Sequence, residues 1–405
     1  MDYQDKTHTR TQGARNLTMG ADFDKYVMYG GRMRCNVADD GTINAFYGDN
    51  DYADDGSNGQ VMVYQPKFYY QRLPLRMEKD TIIRSESIIL SARKQAGFKL
   101  HPIFDDSNGG ELEYVLFSAY DGTIVDNKLS SVAGLQPATG MTISKAEEYA
   151  TNRGAGWHII NMAAESANQM LQLVEYGTMN GQSALEAGIS NLTDITTNMN
   201  CSAVTGSTAA LGNATGHATI TINKNNGVDV ENTTEGKRAI SYRGLENPWG
   251  NLWNFVGGIN IKGDGKSNGG APYICTNFEY TPATIGDNYE YIGFNLPNTY
   301  GWISAMGRGN DKYDWVFMPI ECASVANSLL PVGDNLWVVA NVTENKIVVV
   351  GGAYTFQDNN GMFYYGCDNN ANIIASNYGS RLMYIPTKGT TYNSNIEKWS
   401  TKIGG

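Results

Sequence analysis

The amino-acid sequence predicts an α+β fold, in which a β-rich N-terminal part precedes a domain of two helices and short antiparallel strands. Short strand-like segments separated by Gly, Asn and Asp turns recur along much of the chain. Two helical patterns with a 3.6-residue period lie near its middle. The 405 residues, 41% of them hydrophobic, suffice for a sizeable buried core in one large or two smaller domains.

The N-terminal third is predicted to begin as a polar arm and to continue as strands. Residues 1–20 lack apolar periodicity, so we expect an arm that is ordered only when something docks it, a neighbouring subunit above all. Residues 21–135 are assigned to a β-rich domain. Its predicted strands are 30–37 and 42–47, joined as a hairpin by the turn at 39–41, and then 60–65, 67–72, 87–91 and 113–120.

Two helices follow in residues 136–385, which are assigned to the second domain. A capping box over 144–147 predicts the start of a helix that runs to about Arg153. Asn161 predicts the cap of a second helix, which continues through Tyr176 and is ended by Gly177.

The remaining segments are irregular. Residues 190–236 are rich in Asn, Thr, Ser and Gly and predict a long, partly stranded insertion with one strand at 217–222. Residues 386–405 predict a polar tail.

Charge and hydropathy exclude several classes of partner. The net charge is −11 and no basic run occurs, whereas nucleic acids and anionic membranes are bound through clustered Lys and Arg. No stretch approaches the ~20 apolar residues of a membrane span. The N-terminus lacks the basic and then apolar layout of a signal peptide, so we expect synthesis in the cytoplasm without membrane insertion.

Four motifs, in a fixed order, carry a resemblance that spans roughly residues 28–385. They are Asn152 to His158 followed by Leu173 to Ala184, Tyr242 to Phe255, Val350 to Tyr354, and Tyr378 to Leu382. Their order resembles the C-type lectin-like fold of phage receptor-binding tail proteins and of variable proteins diversified by retroelements. The formylglycine-generating enzymes share that fold. Residues 59–63 and 97–102 also resemble the phage proteins.

The same motifs also have a structural interpretation that is independent of the family. Trp249, Trp253 and Phe255 supply bulky apolar mass beside Gly250, which favours a role in packing. Arg381 is predicted to join two segments through bidentate pairing with a carboxylate, with Glu246 or Glu175 as its partner.

Enzymatic chemistry and a metal cofactor are not predicted. The formylglycine-generating enzymes bind copper through two late cysteines, whereas Cys367 has no close partner in sequence and Cys322 lies 45 residues earlier. The five cysteines form no C-x-x-C pair and are expected to be small buried thiols. The motifs of calcium-dependent lectins and of common hydrolases are absent from the sequence, so we expect no cofactor and no enzyme activity.

The segment 353–378 is the predicted recognition segment. It interleaves aromatic residues with Asn and Asp, a composition typical of antibody binding loops. In the variable proteins that the chain resembles, this stretch contacts the receptor. The predicted ligand-binding residues are Tyr354, Phe356, Asp358, Asn359, Tyr365, Asp368, Asn369 and Asn372.

The function that follows from the resemblance is attachment. We expect a structural protein of a phage virion, at the tip of a tail or head fibre, that binds a host-cell surface glycan or protein and contacts other virion proteins. The resemblance also implies a homotrimer. A bacterial surface adhesin of the same fold is the alternative, which an export signal would favour.

Overall fold

β-Strands dominate the computed structural model, which describes residues 1–192, 200–222, 224–225, 228–229, 236–275, 277–325, 330 and 332–386. Strands account for 34% and helices for 13% of the structure. Within the described residues the α-helices are α1 (Val27–Gly30), α2 (Ile143–Thr151), α3 (Met162–Tyr176) and α4 (Gly181–Ala184).

The strands fall into three stretches of the chain. The first contains β1 (Met33–Val37), β2 (Ile43–Phe46), β3 (Gln60–Pro66), β4 (Tyr69–Glu78), β5 (Ile82–Ser91), β6 (Lys99–Leu100), β7 (Tyr114–Ser118), β8 (Thr123–Val125) and β9 (Lys128–Ser130). The second contains β10 (Trp157–Ile159), β11 (His217–Thr221), β12 (Lys224–Asn225), β13 (Val228–Asp229), β14 (Arg238–Tyr242), β15 (Leu245–Glu246) and β16 (Trp253–Lys262). The third contains β17 (Ala271–Cys275), β18 (Tyr289–Tyr291), β19 (Gly301–Gly307), β20 (Pro319–Ala323), β21 (Asn335–Trp337), β22 (Lys346–Gly351), β23 (Gly361–Gly366), β24 (Tyr378–Gly379) and β25 (Leu382–Tyr384).

Two large sheets organise these strands. The smaller has six strands in the order β10-β25-β7-β3-β1-β2. The larger has twelve strands, ten of them in the order β18-β17-β16-β22-β23-β21-β19-β5-β4-β6, while β20 pairs with β19 and β24 with β16. Both sheets combine strands from either side of residue 135, so the predicted domain boundary crosses both sheets.

The expected C-type lectin-like α+β fold is wrong, since the structure is mostly β-sheet and does not show that fold. The predicted segments do form strands; for example, Cys35 pairs with Phe46 across the predicted hairpin. Periodicity detects a strand but does not reveal its neighbours. The long-range pairings that build a twelve-stranded sheet, such as Met306 with Ile83, leave no local signal.

The helix predictions are confirmed, with one change at a cap. Asn161 accepts a hydrogen bond from the Ala164 amide at 2.9 Å, and Gly177 ends α3 in the left-handed conformation (φ 71°). Helix α2 begins earlier than predicted, because the Thr142 hydroxyl caps it. The predicted capping-box residue Glu147 instead binds the imidazole of His158 at 2.7 Å.

The N-terminal arm lies on its own chain. The N-terminal ammonium donates to the Glu86 carbonyl oxygen at 2.7 Å, and the Tyr3 hydroxyl donates to the Glu86 carboxylate. Arg10 donates to the carbonyl oxygens of Val174 and Glu175 at the end of α3. The expectation that only a neighbouring subunit orders the arm therefore needs correction: these contacts are intramolecular.

In the part of the chain that the structure describes, no helix combines the length and the apolar character that crossing a membrane requires.

Candidate recognition surface

The structure places two of the predicted contact aromatics in the core. Tyr365 is 0% exposed; its hydroxyl donates to the Phe317 carbonyl oxygen at 2.7 Å and accepts from the Gln169 amide at 2.6 Å. Tyr354 is buried in a small apolar cluster that includes Leu252. Both side chains stabilise the fold and are shielded from an external ligand.

The other six predicted residues reach the surface to different degrees. Asp358 and Asn372 are exposed, whereas Phe356, Asn359, Asp368 and Asn369 are partly buried. These six residues lie in two parts of the segment 353–378, before and after the buried strand β23.

A buried aromatic pair organises this region. The rings of Trp253 and Tyr364 lie 4.4 Å apart between centroids, and both side chains are buried. The ring of Phe356 packs edge-on against both, at 5.6 and 5.9 Å, and the ring of Tyr378 stacks 6.4 Å from Trp253. The buried pair thus holds two partly exposed rings of the predicted segment in place.

A third partly exposed ring comes from outside the predicted segment. The indole N–H of Trp337, in β21, donates to the Tyr364 hydroxyl. Strand β21 runs parallel to β23, with Trp337 opposite Gly366, so this contact crosses between neighbouring strands. The hydrogen bond fixes the indole plane relative to the core.

Tyr300 completes the arrangement. Its ring stacks on Trp337 with centroids 5.1 Å apart and planes only 14° from parallel. The Tyr300 side chain is 60% exposed, and it precedes Gly301, which pairs with Leu336 of β21. Sequence reasoning missed Tyr300 and Trp337 because they lie outside the segment 353–378, and only the pairing of β19 with β21 unites them.

We define the aromatic surface as the partly or fully exposed side chains that contact the Trp253–Tyr364 pair directly or through one neighbouring side chain. Its members are Tyr300, Trp337, Phe356, Asn369 and Tyr378.

Amide and carboxylate groups border this surface. The Asn369 amide donates to the Tyr378 hydroxyl and to the Asp368 carboxylate, both at 3.0 Å. Burial raises the pKa of the Tyr378 phenol to about 12 and also raises that of the Asp368 carboxyl. The Lys346 ammonium donates to the Asn370 side chain at 2.5 Å. The border therefore offers mixed hydrogen-bond donors and acceptors.

The motif around residues 242–255 is structural, as its composition predicted. Trp249, Trp253 and Phe255 are buried. Arg243 forms a buried ion pair with Glu175 at 2.6 Å. Through Arg243 the motif joins β14 to the end of α3, and through Trp253 it supplies one ring of the buried pair beneath the aromatic surface.

The glycine pair Gly351-Gly352 stands at the end of β22. It ends the buried strand β22 with both glycines at positive φ, 95° and 79°. A Cβ atom on Gly352 would lie 1.7 Å from Oδ1 of Asn360, so no larger residue fits there.

The cysteines are free thiols, four buried and Cys322 partly buried. Burial raises the pKa of the Cys322 thiol to about 12. Burial also raises the pKa of the Cys367 thiol well above its usual range, and the nearby Cys322 adds to that shift. Both thiols are therefore held protonated at neutral pH. Among the described residues, no group of three or more His, Cys, Asp or Glu side chains is arranged to hold a metal ion.

Comparison with known proteins adds no relative: no protein-family model matches the chain, and no curated protein matches it significantly.

Proposed function

We propose that the chain is a recognition protein whose aromatic surface binds a receptor on a cell. The observation that carries the proposal is the Tyr300–Trp337 stack, in which a largely exposed ring is held flat on a second ring that is hydrogen-bonded to the core. Of the described aromatic residues with large exposure, Tyr300 is the most exposed.

Pre-organisation is what makes this arrangement suited to binding. A tyrosine presents a large contact area with only two side-chain torsions to immobilise. Stacking on Trp337 already restricts them, so less conformational entropy remains to be lost when a ligand covers the ring. The exposed side chains of Asn298 and Thr299, which immediately precede Tyr300, add adaptable hydrogen-bonding groups.

We further propose that the recognised cell is a phage host and that the protein belongs to a virion. The resemblance of residues 59–63 and 97–102 to phage receptor-binding proteins supports this assignment. Immunogold labelling of purified virus particles with an antibody against the chain tests it. We expect labelling at fibre tips. Labelling of the envelope of uninfected bacteria would contradict the virion assignment and identify the chain as an adhesin.

Tyr300→Ala tests the recognition function. Exposed substitutions rarely change stability by more than about 0.5 kcal/mol, so the melting temperature should stay within a few degrees of the parent. Loss of a central aromatic contact should weaken binding of the purified protein to cells by about 2 kcal/mol, roughly thirtyfold.

Tyr291→Ala is the matched control. Tyr291 is also an exposed tyrosine, at 38%, with its ring tilted 39° against Tyr273. It lies outside the aromatic surface, so its removal should leave cell binding intact. Equal binding by the parent and Tyr300→Ala would refute the proposal.

A further inference from the structure

We infer that the ligand of the aromatic surface is a neutral sugar whose ring stacks on the exposed face of Tyr300; this inference rests on the recognition function proposed above. The geometry of the stack points to it. Trp337 covers one face of the Tyr300 ring at 5.1 Å and 14°, and the 60% exposure of the side chain leaves the opposite face open to solvent.

A flat, open aromatic face complements a pyranose ring. One face of a pyranose presents several C–H groups that carry partial positive charge, and the face of an aromatic ring carries partial negative charge. An aliphatic protein side chain would gain only apolar contact from the same ring. The sugar gains both contact and electrostatic attraction.

The groups beside the ring suit sugar hydroxyls. Asn298 and Thr299, which immediately precede Tyr300, are both exposed. Asn359, in the turn before β23, accepts a hydrogen bond from the side chain of Asn335 at 3.5 Å, and Asn335 pairs with Trp302, two residues after Tyr300. Amide and hydroxyl groups both donate and accept, as each hydroxyl of a sugar also does.

The charges around the surface favour a neutral rather than an acidic sugar. Asp358 is exposed and Asp368 partly exposed, and both would repel a sulphate or carboxylate. The Lys346 side chain is only 12% exposed, and its ammonium group is already bound to Asn370. The net charge of −11 also repels an acidic sugar, at longer range.

Competition and chemical treatment of the cells test the inference. The probes are the methyl glycosides of glucose, galactose and mannose, added as competitors while the purified protein binds to cells. Parallel samples of cells are treated either with periodate, which cleaves vicinal diols of sugars, or with a protease. We expect at least one glycoside to displace the protein, periodate to abolish binding, and protease to leave it unchanged.

Tyr300→Leu separates stacking from simple apolar contact. Leucine retains apolar area but lacks an aromatic face, so binding should fall roughly thirtyfold, as far as in Tyr300→Ala. Tyr291→Ala should bind like the parent. Binding largely retained by Tyr300→Leu would overturn the stacking mode.

The outcomes distinguish the two proposals. Protease-sensitive binding that resists periodate and all three glycosides, but is lost in Tyr300→Ala, identifies a protein receptor; it overturns the sugar inference and leaves the recognition function standing. Binding that is equal in the parent and Tyr300→Ala overturns both.

Discussion

The guanidinium of Arg381 lies 2.9 Å from the carboxylate of Asp121, and both side chains are almost completely buried. Arg381 also donates to the carbonyl oxygens of Glu246 and Asn247. Arg381 therefore forms an ion pair, but the predicted partners are wrong, since neither Glu246 nor Glu175 supplies the carboxylate. That of Glu246 accepts from the Thr208 amide and hydroxyl, and Glu175 is engaged by Arg243.

Replacing Arg381 should destabilise the fold severely. Arg381→Met leaves the Asp121 carboxylate buried without its cation, which typically costs about 3–5 kcal/mol. Urea unfolding followed by circular dichroism measures the change. Arg76→Met is the control, since its pair with Asp2 is partly exposed and should contribute at most about 1 kcal/mol. Similar small losses in both variants would contradict a structural role for Arg381.

Tyr365→Phe should reduce stability without a direct effect on binding. The change leaves the Phe317 carbonyl and the Gln169 amide buried without their hydroxyl partner, at a cost of about 1–3 kcal/mol. Folded protein should still bind cells like the parent, because the ring is shielded from ligands. If the variant melts like the parent but binds cells poorly, Tyr365 contacts the ligand and the prediction is wrong.

Local signals could predict the helices but not the site. Asn161 and Gly177 mark the ends of α3 through capping chemistry that acts within a few residues. Tyr300 and Trp337 meet only because β19 and β21 are neighbours in the sheet. In the segment 353–378, composition indicated an aromatic-rich region, but it could not separate the partly exposed ring of Phe356 from the buried ring of Tyr365.

The contribution of Glu165 to the free energy of unfolding should fall as the pH rises from about 4.5 to about 7. Burial raises the pKa of Glu165 from 4.5 to about 7, although the positive charge of Arg381 opposes the shift. The folded state therefore binds the proton more tightly than the unfolded state, and that stabilisation is lost as the pH passes through the folded pKa. The pKa of Glu246 is raised to about 7 by burial and by the charge of Asp121, with the same sign.

Glu165→Gln isolates this effect, because glutamine resembles the protonated acid at every pH. The variant should match the parent near pH 4.5 and exceed its stability at pH 8 by about 1–3 kcal/mol. Urea unfolding at a series of pH values provides the comparison. Glu148→Gln, an exposed position in α2, should show the pH dependence of the parent. If the plots of stability against pH are parallel for Glu165→Gln and the parent, the raised pKa of Glu165 is contradicted.

Deleting residues 1–20 should destabilise the isolated chain. The arm supplies the Tyr3 hydroxyl to the buried Glu86, whose carboxylate also binds Arg72, and the Gly20 amide to Glu175 at 3.0 Å. Without the arm, Glu86 loses a buried hydrogen bond to a charged group, which alone contributes about 1.5–3 kcal/mol. Tyr3→Phe tests the same bond with the backbone of the arm left in place.

The concentration dependence of unfolding separates the two origins of order in the arm. If the contacts are intramolecular, the loss of stability in Tyr3→Phe is the same in dilute and concentrated protein. If the arm is ordered by a neighbour in a homotrimer, the parent becomes more stable as its concentration rises, because association stabilises the folded state by mass action. In that case the variant should resemble the parent in dilute solution, where the neighbour has dissociated. Sedimentation at the same concentrations reports the oligomer directly, so it identifies the dilute samples in which any neighbour has dissociated.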